Sequence, residues 1–131
     1  MPGEGRQWRR GRGAGHSGPR GRLARFLEPA LLLLLRERPQ HGYTLVEELA
    51  RLGYDPGLLD PSLVYRVLRE LEQAGSAISD WDTGESGPPR RVYRLTREGE
   101  EQLRWWADDL RRTRAEIDRF LKLYGEHTPS A

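Results

Sequence analysis

The chain has 131 residues, enough for one domain or a domain with a tail, and 36% of them are apolar against 32% charged. That apolar share is low for a self-sufficient globule, so either a disordered segment dilutes it or a second subunit completes the core. With no cysteine, disulfide scaffolds, thiolate metal sites, iron–sulfur clusters and Cys nucleophiles are excluded, and His16, His41 and His127 lack the spacing of a metal-ligand set.

The net charge of +2 hides an asymmetry. Residues 1–25 carry seven Arg and one Glu, giving +6, while the other 106 carry 15 basic and 19 acidic side chains, giving −4. The same stretch holds seven of the 15 glycines. Too little apolar surface is present there to offset the entropy of ordering, so residues 1–21 are expected to be a disordered basic arm. Such an arm suits phosphate tethering of a nucleic acid, or serves only as a solubilising tail. The basic start followed by Ala30–Leu35 imitates a secretory signal. Glu28 and Pro29 interrupt the approach, however, and Arg36-Glu37-Arg38 stands where a small-residue cleavage site belongs. No run approaches the ~20 apolar residues of a membrane span. A cytoplasmic, nucleoid-associated protein is expected, with no membrane contact.

Leu23 to Arg38 reads as a helix closed by Pro39, with Leu23, Phe26, Leu27, Ala30, Leu31 and Leu34 at helical spacing. Leu32, Leu33 and Leu35 fill its other sides. A helix apolar all round is buried all round, and in so short a chain a partner subunit is the expected second cover. His41-Gly42-Tyr43 opens a second helix, its inner face assigned to Tyr43, Val46, Leu49 and Ala50, stopped by Gly53. Asp60-Pro61 starts a third, an N-cap followed by Pro at the first helical position. Val64, Leu68 and Leu71 form its buried stripe, and Ser62, Arg66, Arg69 and Gln73 line the opposite face up to Gly75. Ser76–Asp82 and Arg90–Leu95 read as strands joined by a tip rich in Gly and Pro.

Thr96 caps a long fourth helix with Glu98, Glu100 and Glu101 early and Arg111, Arg112, Arg114, Arg119 and Lys122 late, the order the helix dipole favours. On it Leu103, Trp106, Leu110, Thr113, Ile117, Phe120 and Tyr124 recur at steps of 3 and 4. That is three heptads of a dimerisation seam with one polar break. Three helices, a hairpin directly after the third, and one more helix make a mainly α chain with the layout of a winged helix-turn-helix. The expected division is an arm over 1–21, the winged unit over 22–98, a dimerisation helix over 99–125 and a tail over 126–131.

In the same order the chain resembles the PadR-like transcriptional regulators from about Leu31 to Gly99. The shared blocks are Leu31–Leu35 before a Pro, His41-Gly42-Tyr43-Thr44-Leu45, Pro61 to Gly75, and Gly87-Pro88-Pro89-Arg90-Arg91-Val92-Tyr93-Arg94-Leu95-Thr96-Arg97-Glu98-Gly99. The third-helix and wing blocks together carry the specificity. Where the family commonly has a Gly-Thr pair at the start of the recognition helix, this chain has Ser62-Leu63. The resemblance implies homodimeric DNA-binding regulators, commonly repressors, released from their operators by small molecules or other signals.

Each candidate residue has two readings. Arg66 and Arg69 either reach guanine edges in the major groove or pair with Glu70, Glu72 or solvent. Base contacts come from the first turns of a recognition helix, which favours Arg66 over Arg69. Ser62 and Gln73 share their face. Leu63 meets a thymine methyl or belongs in part to the core. Arg90 and Arg91 suit the phosphate backbone or a solvated hairpin. Tyr43 stands at a helix start suited to phosphate, or in the core. Trp105 and Trp106 line an effector cavity between subunits or simply pack the dimer.

Charge alone announces nothing: residues 60–97 hold six Arg and six acids. The expected partners are double-stranded DNA at an inverted-repeat operator, a second copy of the chain and a small-molecule effector. No cofactor, no metal and no catalytic residue is expected. The competing readings are a winged-helix adaptor for a partner protein and a small-molecule sensor without DNA binding.

Overall fold

A computed structural model describes residues 19–55, 57–84 and 87–125, of which 19–25 by backbone alone. Helix α1 spans Pro19–Glu37. It starts inside the stretch expected to be an arm; residues 1–18 and the tail 126–131 lie outside the described residues. Leu27, Leu31, Leu32, Leu34 and Leu35 are all buried, covered by the later helices Pro61–Gln73 and Arg97–Tyr124 and by the sheet of the same chain. This corrects the expectation of a partner over Leu32 and Leu35: α1 is the central helix, walled in by its own domain. Among its described apolar side chains only Phe26 and Leu33 stay open.

Strand β1, Gln40–His41, was not visible in the sequence and pairs antiparallel with the later strand at Gln40↔Tyr93 and His41↔Val92. Buried Gln40 donates its Nε2 to the Leu34 carbonyl at 2.9 Å. That carbonyl is one of the last four of α1, which have no partner within the helix.

Helix α2 covers Gly42–Glu48 and tightens into a 3₁₀ turn at Leu49–Leu52. Its inner face is Gly42, Leu45 and Leu49. Of the expected inner residues Tyr43, Val46, Leu49 and Ala50, Leu49 is buried and Val46 packs in part on the core, whereas Tyr43 and Ala50 are exposed and Leu45 takes the inner place. Gly42 decides the phase: a Cβ there would lie 2.5 Å from the Tyr65 ring, so only glycine lets that face approach. Tyr43 is thereby turned outward and is 53% exposed. Gly53 ends the segment at φ 92°, a left-handed conformation that glycine adopts without strain.

Helix α3, Pro61–Gln73, starts as expected, with Asp60 Oδ1 accepting from the Ser62 N–H at 2.9 Å. Val64, Leu68 and Leu71 are buried, joined by Val67. Strands β2, Ala77–Asp82, and β3, Arg90–Leu95, pair from Ala77↔Leu95 out to Asp82↔Arg90, giving the order β1-β3-β2. Thr96 Oγ1 donates to the Gly75 carbonyl at 2.7 Å and accepts from the Gly99 N–H at 2.9 Å. One side chain thus joins the end of α3 to the cap of α4, which spans Arg97–Tyr124, and fixes the root of the hairpin.

The first half of α4 lies on α1. Trp106 is buried there and donates Nε1 to Glu28 Oε2 at 3.2 Å, while Leu103 and Leu110 pack in part on the same core. Beyond Thr113 most of the large apolar residues are bare: Ile117 is 51%, Phe120 65%, Leu123 82% and Tyr124 76% exposed, with Leu121 half-buried. The described residues therefore form four helices and a small three-stranded antiparallel sheet, a winged helix-turn-helix.

Candidate nucleic-acid interface

Helix α3 presents Ser62, Arg66, Arg69 and Gln73 to solvent as one face. Leu63 is half-buried and packed against the core. Arg66 Nε stands 4.0 Å from Glu70 Oε2, with both side chains more than 60% exposed. A pair so open contributes ~0–1 kcal/mol and yields readily to a stronger anion. Arg69 has no carboxylate partner within salt-bridge distance among the described residues. The geometry keeps both readings of Arg66 and leaves Arg69 exposed to solvent.

The wing separates its two arginines. Successive strand residues point to opposite faces, so Arg90 shares one face with Asp82 and Arg91 the other with Trp81. The Arg90 guanidinium lies 5.8 Å from the centre of the Tyr43 ring, joining the wing to the start of α2. On that face His41 Nε2 is 3.2 Å from Asp82 Oδ2, and Asp82 Oδ1 accepts from the Gly84 N–H at 3.1 Å. The Gly84 N–H foremost, then His41, hold the Asp82 carboxyl below the usual carboxylate range.

The other face looks toward α3. Arg91 lies 4.6 Å over the Trp81 ring and donates Nη1 to Ser79 Oγ at 2.8 Å. Ser79 in turn donates to Glu72 Oε2 at 2.6 Å. Buried Tyr93 sits among them, its hydroxyl pushed up by burial and then by the nearby Glu72 charge. Sequence reasoning missed Trp81, Ser79 and Glu72 as parts of this surface. The signal was present only in cross-strand form, because Trp81 faces Arg91 once the register is known.

A cavity of about 340 Å³ lies between α1, the Leu52–Tyr54 turn and α4, lined by Phe26, Leu33, Tyr54, Leu103, Trp106 and Leu110 among others. Trp106 is on its wall. Trp105 meets Trp106 edge-on, ring centres 5.3 Å apart, but does not line the cavity. The Tyr54 hydroxyl is buried without a hydrogen-bond partner among the described residues, and burial pushes its pKa to about 12. Among the described residues no three or more His, Asp or Glu side chains are grouped to hold a metal ion. No described helix is long and apolar enough to cross a membrane.

An exposed basic helix face flanked by a hairpin is the groove-reading arrangement of this fold. The family model described as the transcriptional regulator PadR-like family matches residues 31–105. The chain belongs to this family. Among solved structures, the chain is 35% identical to a PadR family transcriptional regulator from Eggerthella lenta, covering 76% of this chain and 86% of that one, with a TM-score of 0.67. It is 38% identical to a conserved protein of unknown function described as a potential transcriptional factor, covering 86% of this chain and 95% of that one, TM-score 0.67. A PadR family transcription regulator from Clostridium difficile, 21% identical, shares the fold at a TM-score of 0.65 over 73% of this chain and 98% of that one. No curated protein matches the chain. As a PadR-like protein it is a DNA-binding transcription regulator, a class in which function is recognition rather than catalysis.

Proposed function

We propose that this PadR-like chain acts as a homodimer on an inverted-repeat operator, as a repressor relieved by a small molecule or other signal. The observation that carries the reading is the open α3 face of Ser62, Arg66, Arg69 and Gln73, bordered by Tyr43 and by wing arginines 90 and 91. Arg66 reads a base edge from the first turns of α3, Leu63 adds apolar contact from its open side, and Tyr43, Arg90 and Arg91 hold the backbone. A helix that enters the major groove covers one half-site, so a two-fold pair reads two, about one DNA turn or roughly 34 Å apart.

The bare apolar stretch Ile117, Phe120 and Tyr124 supports assembly through residues 99–125, with Leu103, Trp106 and Leu110 continuing the line toward the core. Residues 22–98 form the reading unit, residues 1–21 supply sequence-independent attraction, and residues 126–131 are a tail. The protein works in the cytoplasm on the nucleoid and catalyses no reaction.

The cavity beside Trp106 supports effector binding. It is almost wholly apolar, it touches both the reading unit and the dimerisation helix, and Tyr54 supplies an unpartnered polar group nearby. A ligand seated there changes the angle between the two.

The test is a fluorescence-anisotropy titration of the full chain on the DNA upstream of its own gene and on a scrambled duplex. The proposal expects the first to bind at least about 10³-fold more tightly. Equal affinities would favour the adaptor or sensor readings.

A further inference from the structure

The two wing arginines differ in how they are held, and this difference has a use. Arg90 is near Tyr43 but has no hydrogen bond from its guanidinium among the described residues. Arg91 is clamped from two sides. The Trp81 ring, itself 60% exposed, lies 4.6 Å beneath it, and Ser79 Oγ accepts from its Nη1 at 2.8 Å.

The direction of that second contact is set from α3. A serine hydroxyl has one proton and two acceptor lone pairs. The Ser79 proton goes to Glu72 Oε2 at 2.6 Å, so the oxygen is left as an acceptor facing Arg91. Glu72 is half-buried on the recognition helix, which makes it a fixed anchor rather than a loose surface acid. The chain Glu72–Ser79–Arg91 therefore spans from the recognition helix to the wing, and among the described residues most of the arginine's five N–H donors have no partner and can face outward.

We infer that Ser79 and Glu72 are positioning residues for DNA binding: they hold the Arg91 guanidinium over the Trp81 ring, pre-aimed at a phosphate beside the groove that α3 enters. This rests on the reading of Arg91 as a DNA contact. An arginine otherwise loses its rotamer freedom on binding, and a side chain already held loses little. The clamp also ties the wing to α3, so the phosphate contact and the base-reading face move as one body. Neither Ser79 nor Glu72 touches DNA in this arrangement.

The experiment compares Ser79→Ala, Ser79→Thr, Arg91→Ala and the Ser79→Ala/Arg91→Ala double variant, as full chains, on the upstream duplex across a salt series. Ser79→Ala keeps every charge. It is expected to weaken binding by about 3- to 10-fold per engaged wing, the cost of immobilising one long side chain, with the slope of log K against log salt unchanged. Ser79→Thr keeps the hydroxyl and restores affinity. Arg91→Ala weakens binding and lowers the salt slope by about 0.9 per wing, and adding Ser79→Ala to it costs nothing further. The inference is overturned if Ser79→Ala binds like the parent, if Thr fails to rescue, or if the Ser79→Ala loss persists in full without Arg91, which would mark a general effect on the hairpin. If Arg91→Ala itself binds like the parent with an unchanged slope, the reading of Arg91 as a DNA contact fails, and the inference falls with it.

Discussion

The dimer seam can be tested without damaging the fold, because the structure divides it. Leu103, Trp106 and Leu110 belong in part to the chain's own core, so a charge at Leu110 harms folding and assembly together. Ile117 and Phe120 do not have that dual role; they are 51% and 65% exposed. Complete burial of such a side chain is worth ~1.5–3 kcal/mol. If a partner covers the fractions left open, the two residues contribute ~2–3.5 kcal/mol per chain, and two-fold symmetry doubles this to ~4–7 kcal/mol per dimer. Replacing both by Glu removes that contribution and adds the cost of burying unpaired charge. At 1.4 kcal/mol per tenfold, the dimer Kd should rise by about 10³ to 10⁵. Sedimentation velocity over about two decades of protein concentration reads this directly, and circular dichroism and thermal melting should show a folded monomer. A dimer Kd that moves by less than about tenfold would falsify the seam.

Two further outcomes follow from the wing and the arm. The Asp82 carboxyl is held below the usual carboxylate range, so its contribution to stability is present above that range and lost as pH falls through the lowered value. In His41→Ala, side-chain NMR titration should find the Asp82 pKa only part of the way back, because the Gly84 N–H remains; full return to the usual value contradicts the order of causes. Removing residues 1–18, which stops short of helix α1, takes away Arg6, Arg9, Arg10 and Arg12. With about two of them engaged, the salt slope should fall by roughly 2 units with the preferred operator unchanged; an unchanged slope makes the arm a solubility tail.

Local chemistry with a single geometric meaning was legible from the residues. Asp60-Pro61 starts α3 where a cap and a fixed φ require it, and Thr96 caps α4. What was illegible depended on partners distant in the chain. Strand β1 has two residues, too few for any alternation to show, and exists because β3 offers it an edge. The inner face of α2 has two candidate stripes one residue apart, and the choice lies with Gly42 against Tyr65, 23 positions away in sequence. Leu32 and Leu35 read as needing a partner because sequence periodicity does not count how many neighbours one domain supplies.

The candidate site shows the same boundary. The face carrying Ser62, Arg66, Arg69 and Gln73 follows from a helical period and the family match. The opposite orientations of Arg90 and Arg91, and the bed that Trp81 forms for one of them, need the register Trp81↔Arg91. Charge counting would have found neither, since residues 60–97 carry equal numbers of arginines and acids. Which face each occupies makes the surface.

The central claim is that α3 reads bases, and Arg66 is its most direct probe. The measurement is the affinity of the parent chain and of Arg66→Ala for the operator duplex and for a scrambled duplex at one salt concentration. Loss of a bidentate base contact costs ~1–3 kcal/mol per half-site, so operator affinity should fall by about 5- to 150-fold per half-site while the scrambled duplex binds nearly as before. Equal losses on both duplexes would make Arg66 a phosphate contact and contradict base reading by this face of α3.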